Sequence, residues 1–161
     1  MKNLKLFFWV LIIQIFILNN IQLSGYINPY YYILFILYFP TKKSKSTTLL
    51  LSFIIGFIMD VFCYSYGIHS FASVLIAYLK ILWVNKINAN KDSDEIFELQ
   101  NLSISQFISV AIYFILIHHF TLFFLESFSL RELFLVIQTT LASSILTLML
   151  IVIHKFLTHK K

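Results

Sequence analysis

Charge is what this chain has least of. Asp, Glu, Lys and Arg make up 12% of its 161 residues, against roughly 25% in ordinary globular proteins, while 60% are apolar. A chain this short has too little interior to hide that much apolar surface from water, which excludes a soluble domain and calls for lipid around it. A single cysteine, Cys63, excludes an intrachain disulfide and a cysteine metal site. Three glycines and two prolines leave little flexible linker, and there is no internal repeat or low-complexity tract. The phosphate-loop, G-x-G-x-x-G, H-E-x-x-H and G-x-S-x-G patterns are all missing. Asp60 is the only carboxylate well inside an apolar run, so no acid–base pair can form there. The residues therefore predict a non-enzyme with no catalytic, cofactor-binding or metal-binding set.

What is present is a series of apolar runs. A spanning helix needs about 20 residues. The runs predict an all-α bundle of six transmembrane spans forming one integral membrane domain, at residues 6–23, 27–39, 47–66, 68–84, 103–125 and 132–153. The first run follows Lys2 and Lys5 like a signal peptide, but no small-x-small cleavage site follows it, so it reads as a retained helix. The second is short, with Asn28-Pro29 as its helix start and Pro40 at its end. Residues 47–84 would be about 57 Å long as one helix. They must fold back, and Tyr64-Ser65-Tyr66-Gly67 is the expected break because glycine tolerates a left-handed turn. Residues 85–102 form the one hydrophilic loop, in which Asp92-Ser93-Asp94 can cap a short helix.

The net charge is +5, but the lysines lie between apolar runs, where membrane topology explains them better than nucleic acid does. With six crossings, every lysine falls on one side of the membrane, the cytoplasm. Lys42, Lys43, Lys45, Lys86 and Lys91 are the chief determinants, and Arg131 is the lone cation opposite. The count requires the second run to cross. Its shortness implies local bilayer thinning, with Tyr30, Tyr31, Tyr32 and Tyr38 near the headgroups.

A carboxylate in lipid is costly, so Asp60 is expected to face the bundle interior. His118, His119, Gln138 and Ser73 fall at similar depth and His69 somewhat shallower, which outlines an intramembrane polar layer in the outer third of the bundle. Three readings fit such a layer: a hydrogen-bonded knot that fixes packing, a proton or cation site, and a small-molecule pocket. The first is the plainest. His118 and His119 are adjacent and point about 100° apart on a helix, so they cannot chelate one ion together. Ser52, Gly56 and Asp60 share a face at i, i+4, i+8. With Ser73, Ala77 and Gly67 they supply the small residues for close helix packing.

From residue 28 to residue 80 the order is Asn28-Pro29, a short apolar run, a basic loop, Gly56-x-x-x-Asp60, Gly67-x-His69 and Leu75-Ile76-Ala77-Tyr78-Leu79. This order resembles the MreD family, small rod-shape-determining membrane proteins of bacteria. The motif-bearing part is a third of the chain, and the rest is similar in hydropathy alone. The resemblance implies a non-enzymatic scaffold in the bacterial cytoplasmic (inner) membrane that supports cell shape and peptidoglycan synthesis. Its implied partners are an MreC-like single-span protein, cell-wall synthesis membrane proteins and an actin-like filament, with no cofactor. The family fold is also similar to the substrate-binding subunits of energy-coupling-factor transporters, which supplies the alternative of a small-molecule-binding subunit.

The topology is directly testable. Reporter fusions after Lys161 and within residues 85–101 are expected to read as cytoplasmic, and a periplasmic signal from either overturns the six-crossing arrangement.

Overall fold

The computed structural model describes residues 2–21, 27–40, 44–89 and 98–158. The chain is an all-α bundle in which α1 (Lys2–Phe16), α2 (Ile33–Tyr38), α3 (Lys45–Cys63), α4 (Ile68–Ala89), α5 (Ile104–Ser127) and α6 (Leu133–Thr158) follow in order. Short 3-10 turns lie at Leu18–Asn20, Leu99–Asn101 and Leu130–Glu132. Five of the helices, all but α2, are long and apolar enough to cross a membrane. The protein is a multi-pass membrane helix bundle.

Local chemistry sets the helix ends. Ser44 begins α3 by accepting from the Thr47 N–H at 3.3 Å. Ser103 and Gln106 form a reciprocal capping box at the start of α5. The α3–α4 turn occupies residues 64–67, where Tyr64, Tyr66 and Gly67 all have positive φ, +96° at the glycine. Nothing lies within 4 Å of a Cβ built on Gly67. That residue, expected as a helix-packing position, serves the turn through its backbone freedom.

Helices α3 and α4 form one antiparallel hairpin, α5 and α6 another, and α4 packs on α5. Outward faces are apolar: Leu50, Phe53, Phe57 and Val61 run along the exposed side of α3, and Phe134, Leu141, Ile145 and Met149 along that of α6. The inner face of α6 is the polar one, with Thr140, Ser143, Ser144 and Thr147 buried. This inverts the pattern of a helix on a water-soluble protein, as expected where the surrounding solvent is lipid.

The second span departs from expectation. Only residues 33–38 are helical, and Asn28-Pro29 does not start the helix but lies in a non-helical lead that turns through Tyr31-Tyr32. Pro29 disfavours helical geometry at Asn28. The lead is further held by side chains of other helices. The second span's contacts on α6, at Ser143 and His154, lie eleven residues or about 16 Å apart, short of the ~30 Å hydrocarbon core. The segment runs beside α6 from Asn28, bonded to Ser143, to Tyr38, packed on His154. Tyr30, Tyr31, Tyr32 and Tyr38, expected near the headgroups, are all buried against other helices, each at most 9% exposed, with Tyr38 at the lysine-rich end of the bundle. Lys80, expected near the end of its span, sits well inside α4, which continues to Ala89, and is 2% exposed. Lys45 and Lys86 are exposed, whereas Lys42, Lys43, Lys91 and the Asp92-Ser93-Asp94 cap lie outside the described residues.

At Gly56 the α3–α4 hairpin is packed backbone to backbone. A Cβ there would sit 2.6 Å from Ser70 Cα and 2.7 Å from the His69 carbonyl oxygen. Neither can rotate away. Gly56→Ala is therefore expected to destabilise the protein by about 1–3 kcal/mol and Gly56→Leu by more, read as a lowered Tm of the purified chain in detergent. An unchanged Tm for both contradicts the close approach.

Candidate functional site

A backbone that is not helical inside a membrane must find hydrogen-bond partners within the protein. The Tyr30, Tyr31 and Tyr32 carbonyls accept from residues 33–35 of the same segment, and the amides of Asn28, Tyr30 and Tyr32 and the Pro29 carbonyl find partners on α1 and α6. The Asn28 N–H donates to Ser143 Oγ at 3.1 Å and the Tyr30 N–H to Thr147 Oγ1 at 2.9 Å. Gln14 of α1 works from the other side. Its Nε2 donates to the Pro29 carbonyl at 3.0 Å and its Oε1 accepts from the Tyr32 N–H at 3.4 Å.

The histidines join this arrangement. His119 Nδ1 lies 2.9 Å from the Ile115 carbonyl, which can only accept, so the proton is on Nδ1 and Nε2 is an acceptor. Thr147 then donates its hydroxyl proton to His119 Nε2 at 3.1 Å while accepting from Tyr30. The Tyr32 hydroxyl lies 2.9 Å from His69 Nδ1 and 2.8 Å from His118 Nε2. One hydroxyl proton cannot serve both rings, so one imidazole donates to Tyr32 and the other accepts from it. His118 Nδ1 has no partner. A bare acceptor nitrogen costs less than an unpaired N–H, which favours His118 Nε2–H donating to Tyr32 and Tyr32 donating to His69.

Asp60 has a different role. Its Oδ1 accepts from Ser65 Oγ at 2.6 Å and the His69 N–H at 2.9 Å, and its Oδ2 from the Ser70 N–H at 2.9 Å and Ser70 Oγ at 2.5 Å. Two of these donors are first-turn amides of α4, so a carboxylate on α3 caps the positive end of the next helix. At the other end of the bundle, Lys80 performs the converse task. Its Nζ donates to the carbonyls of Ile36 at 2.7 Å and Phe39 at 2.5 Å, closing the C-terminal end of α2. Gln100 Nε2 donates to the Tyr38 carbonyl beside it, and Lys155 Nζ to the Gln100 carbonyl at 2.6 Å.

The single polar layer centred on Asp60 is thus replaced by two groups that meet at His69: the hairpin cap around Asp60, and the tyrosine–histidine cluster deeper in. The Asp60 carboxyl does bond a side chain of another span, Ser70, but not His118 or His119. Gln138 does not belong to the site. It is exposed on the outer side of α6, because the α6 face that turns inward carries Thr140, Ser143 and Thr147. Ser73 is fully buried near Tyr32 without a hydrogen bond of good geometry. Ser52 is buried and bonded to the Thr48 carbonyl within its own helix, and Ala77 is fully buried. Sequence reading passed over Gln14, Tyr32, Ser143, Thr147 and the placement of Lys80. A lone glutamine in Leu11-Ile12-Ile13-Gln14-Ile15-Phe16 and hydroxyls at i, i+4 in α6 were the available signals.

Clefts open at both ends of the bundle. One of about 280 Å³ lies at the end bearing Asn19, Cys63 and Glu126. Another, of about 430 Å³, lies at the lysine-rich end. Among the described residues, no group of three or more His, Cys, Asp or Glu side chains is placed to hold a metal ion. Compared with protein-family models, with curated proteins and with solved structures, the chain matches none.

The geometry makes Asp60→Asn a sharp test. All four partners of the carboxylate are donors, so an amide must set its NH₂ against one backbone N–H. Serine hydroxyls can turn to accept, but that N–H cannot. The expected loss is about 1–3 kcal/mol for Asn and about twice that for Leu, which orphans both amides. Tm values of the two variants check the order, and an Asn variant as stable as the parent contradicts the cap.

Proposed function

We propose that this chain is a non-catalytic membrane scaffold of the bacterial cell-elongation complex, acting in the cytoplasmic membrane beside an MreC-like single-span partner, cell-wall synthesis proteins and an actin-like filament. The observation that carries the reading is how the buried polar groups are used. Gln14, Ser143, Thr147 and Lys80 each bond the backbone of residues 28–39, and Asp60 bonds the backbone of α4. Groups spent on holding the fold together are not free for turnover. Extended apolar faces of α1, α3 and α6 remain outside, where another protein's membrane segment can pack. The residues that carry the family resemblance also stand at joints of the bundle. Gly56 meets the Ser70 backbone, Asp60 caps α4 and Gly67 supplies the positive φ of the turn.

One observation favours the transporter-subunit alternative. The cleft of about 280 Å³ is lined by Asn19, Asn28, Tyr30, His69 and Glu126, and the buried Asn28 Oδ1 has no hydrogen bond of good geometry, the Tyr30 side chain lying close to it. Its size is at the lower edge of ordinary small-molecule sites.

Depleting the protein separates the readings. The scaffold reading expects rods to become round or wide with nutrient uptake intact. It also expects Gly56→Leu to give the same defect, with reduced co-purification of the MreC-like partner. Cells that keep their shape but come to require a vitamin would establish the transporter reading instead.

A further inference from the structure

The lysine-rich end of the bundle holds a cleft of about 430 Å³ between α1, α6 and the 3-10 turn at Leu99–Asn101. Its described lining carries two lysines, Lys5 and Lys155, and no carboxylate. Lys155 is 4% exposed, and its ammonium is held in place by the Gln100 carbonyl at 2.6 Å and by the Phe107 ring, whose centroid is 5.2 Å away. A carbonyl and an aromatic face position a cation without neutralising it, and an ammonium has two further N–H donors to give. The Tyr38 hydroxyl in the same lining is buried and has no hydrogen bond of good geometry, although the Thr158 side chain lies close to it. A buried hydroxyl left this way costs stability unless something supplies an acceptor. On the α1 side, Leu6 and half-exposed Trp9 make an apolar wall that continues from Lys5 to about one turn deeper at Trp9.

We propose that this cleft binds the phosphate group of an anionic phospholipid, with Lys5, Lys155 and the Tyr38 hydroxyl donating to the phosphate oxygens. Basic pockets between membrane helices at the cytoplasmic face have the charge and depth for such headgroups. The source is a lipid rather than free phosphate because Leu6 and Trp9 extend the site toward the hydrocarbon. An inorganic ion has no use for that wall, whereas a glycerol backbone and the first acyl carbons pack against it, and tryptophan favours that interfacial level. The inference is independent of the scaffold reading, since it concerns the lipid around the bundle and no protein partner.

The test is lipid retention by the full chain in mild detergent, measured by native mass spectrometry with phosphatidylglycerol or phosphatidylcholine added. Lys5→Gln changes an exposed residue and Tyr38→Phe removes only the unbonded hydroxyl, so both are expected to fold, with Tm as the check. Phosphatidylglycerol is expected to be retained over phosphatidylcholine. Lys5→Gln should weaken that retention about fivefold, and Lys5→Gln with Tyr38→Phe further. Lys86→Gln, an exposed lysine outside the cleft lining, should leave it unchanged. Equal retention of the two lipids, or an equal loss in Lys86→Gln, overturns the site. Complete displacement of phosphatidylglycerol by millimolar inorganic phosphate overturns the lipid as its occupant.

Discussion

The bundle depends on keeping a non-helical stretch of backbone inside a membrane. The carbonyls of Tyr30, Tyr31 and Tyr32 are bonded by the turn that follows, but the amides of Asn28, Tyr30 and Tyr32 and the Pro29 carbonyl are bonded from other helices, and lipid offers no substitute. Every neighbour they touch is shaped by that need. Gln14 reaches from α1, Ser143 and Thr147 from α6, and His119 holds the Thr147 hydroxyl in the orientation that lets it accept from Tyr30. The polar interior and the apolar exterior of α6 are two sides of one requirement.

The ionisable side chains within the bundle follow the same logic at helix ends. Asp60 stands at the N-terminal end of α4 and Lys80 at the C-terminal end of α2, so each faces helix charge of the opposite sign. A carboxylate with four donors and a lysine with two carbonyls are expensive to place in a membrane and equally hard to remove, because the backbone groups they serve would be left bare. With Gly56 bringing α3 against the α4 backbone, the three residues fix the hairpin and the central segment relative to each other. The cleft with Lys5 and Lys155 lies at the edge of the same body.

Much of the architecture was legible from hydropathy and spacing. The five long helices fall where the apolar runs lie, and the turn after α3 falls at Tyr64-Ser65-Tyr66-Gly67. Hydropathy reports whether a segment leaves water, which is a property of its own side chains. It cannot report how a buried segment satisfies its backbone, which depends on groups far along the chain. Hence residues 27–39 read as one short helix and are in fact a non-helical lead joined to six helical residues. The four tyrosines around them read as interfacial, since tyrosine usually sits there, yet all four are buried against other helices, and histidines supply hydrogen-bond partners for two of them, His154 for Tyr31 and His69 and His118 for Tyr32.

Sequence by itself determined that this chain forms apolar helices long enough to cross a membrane, and that its lysines are expected on one side with Arg131 opposite. Composition and the spacing of lysines suffice for this, because lipid acts on each run separately. Tertiary structure decided which polar residues work together. Depth along a helix placed Gln138 beside Asp60, but the rotation of α6 about its axis turned Gln138 outward and Thr147 inward. That rotation is set by the bare amides of Asn28 and Tyr30, which lie more than a hundred residues away in the chain.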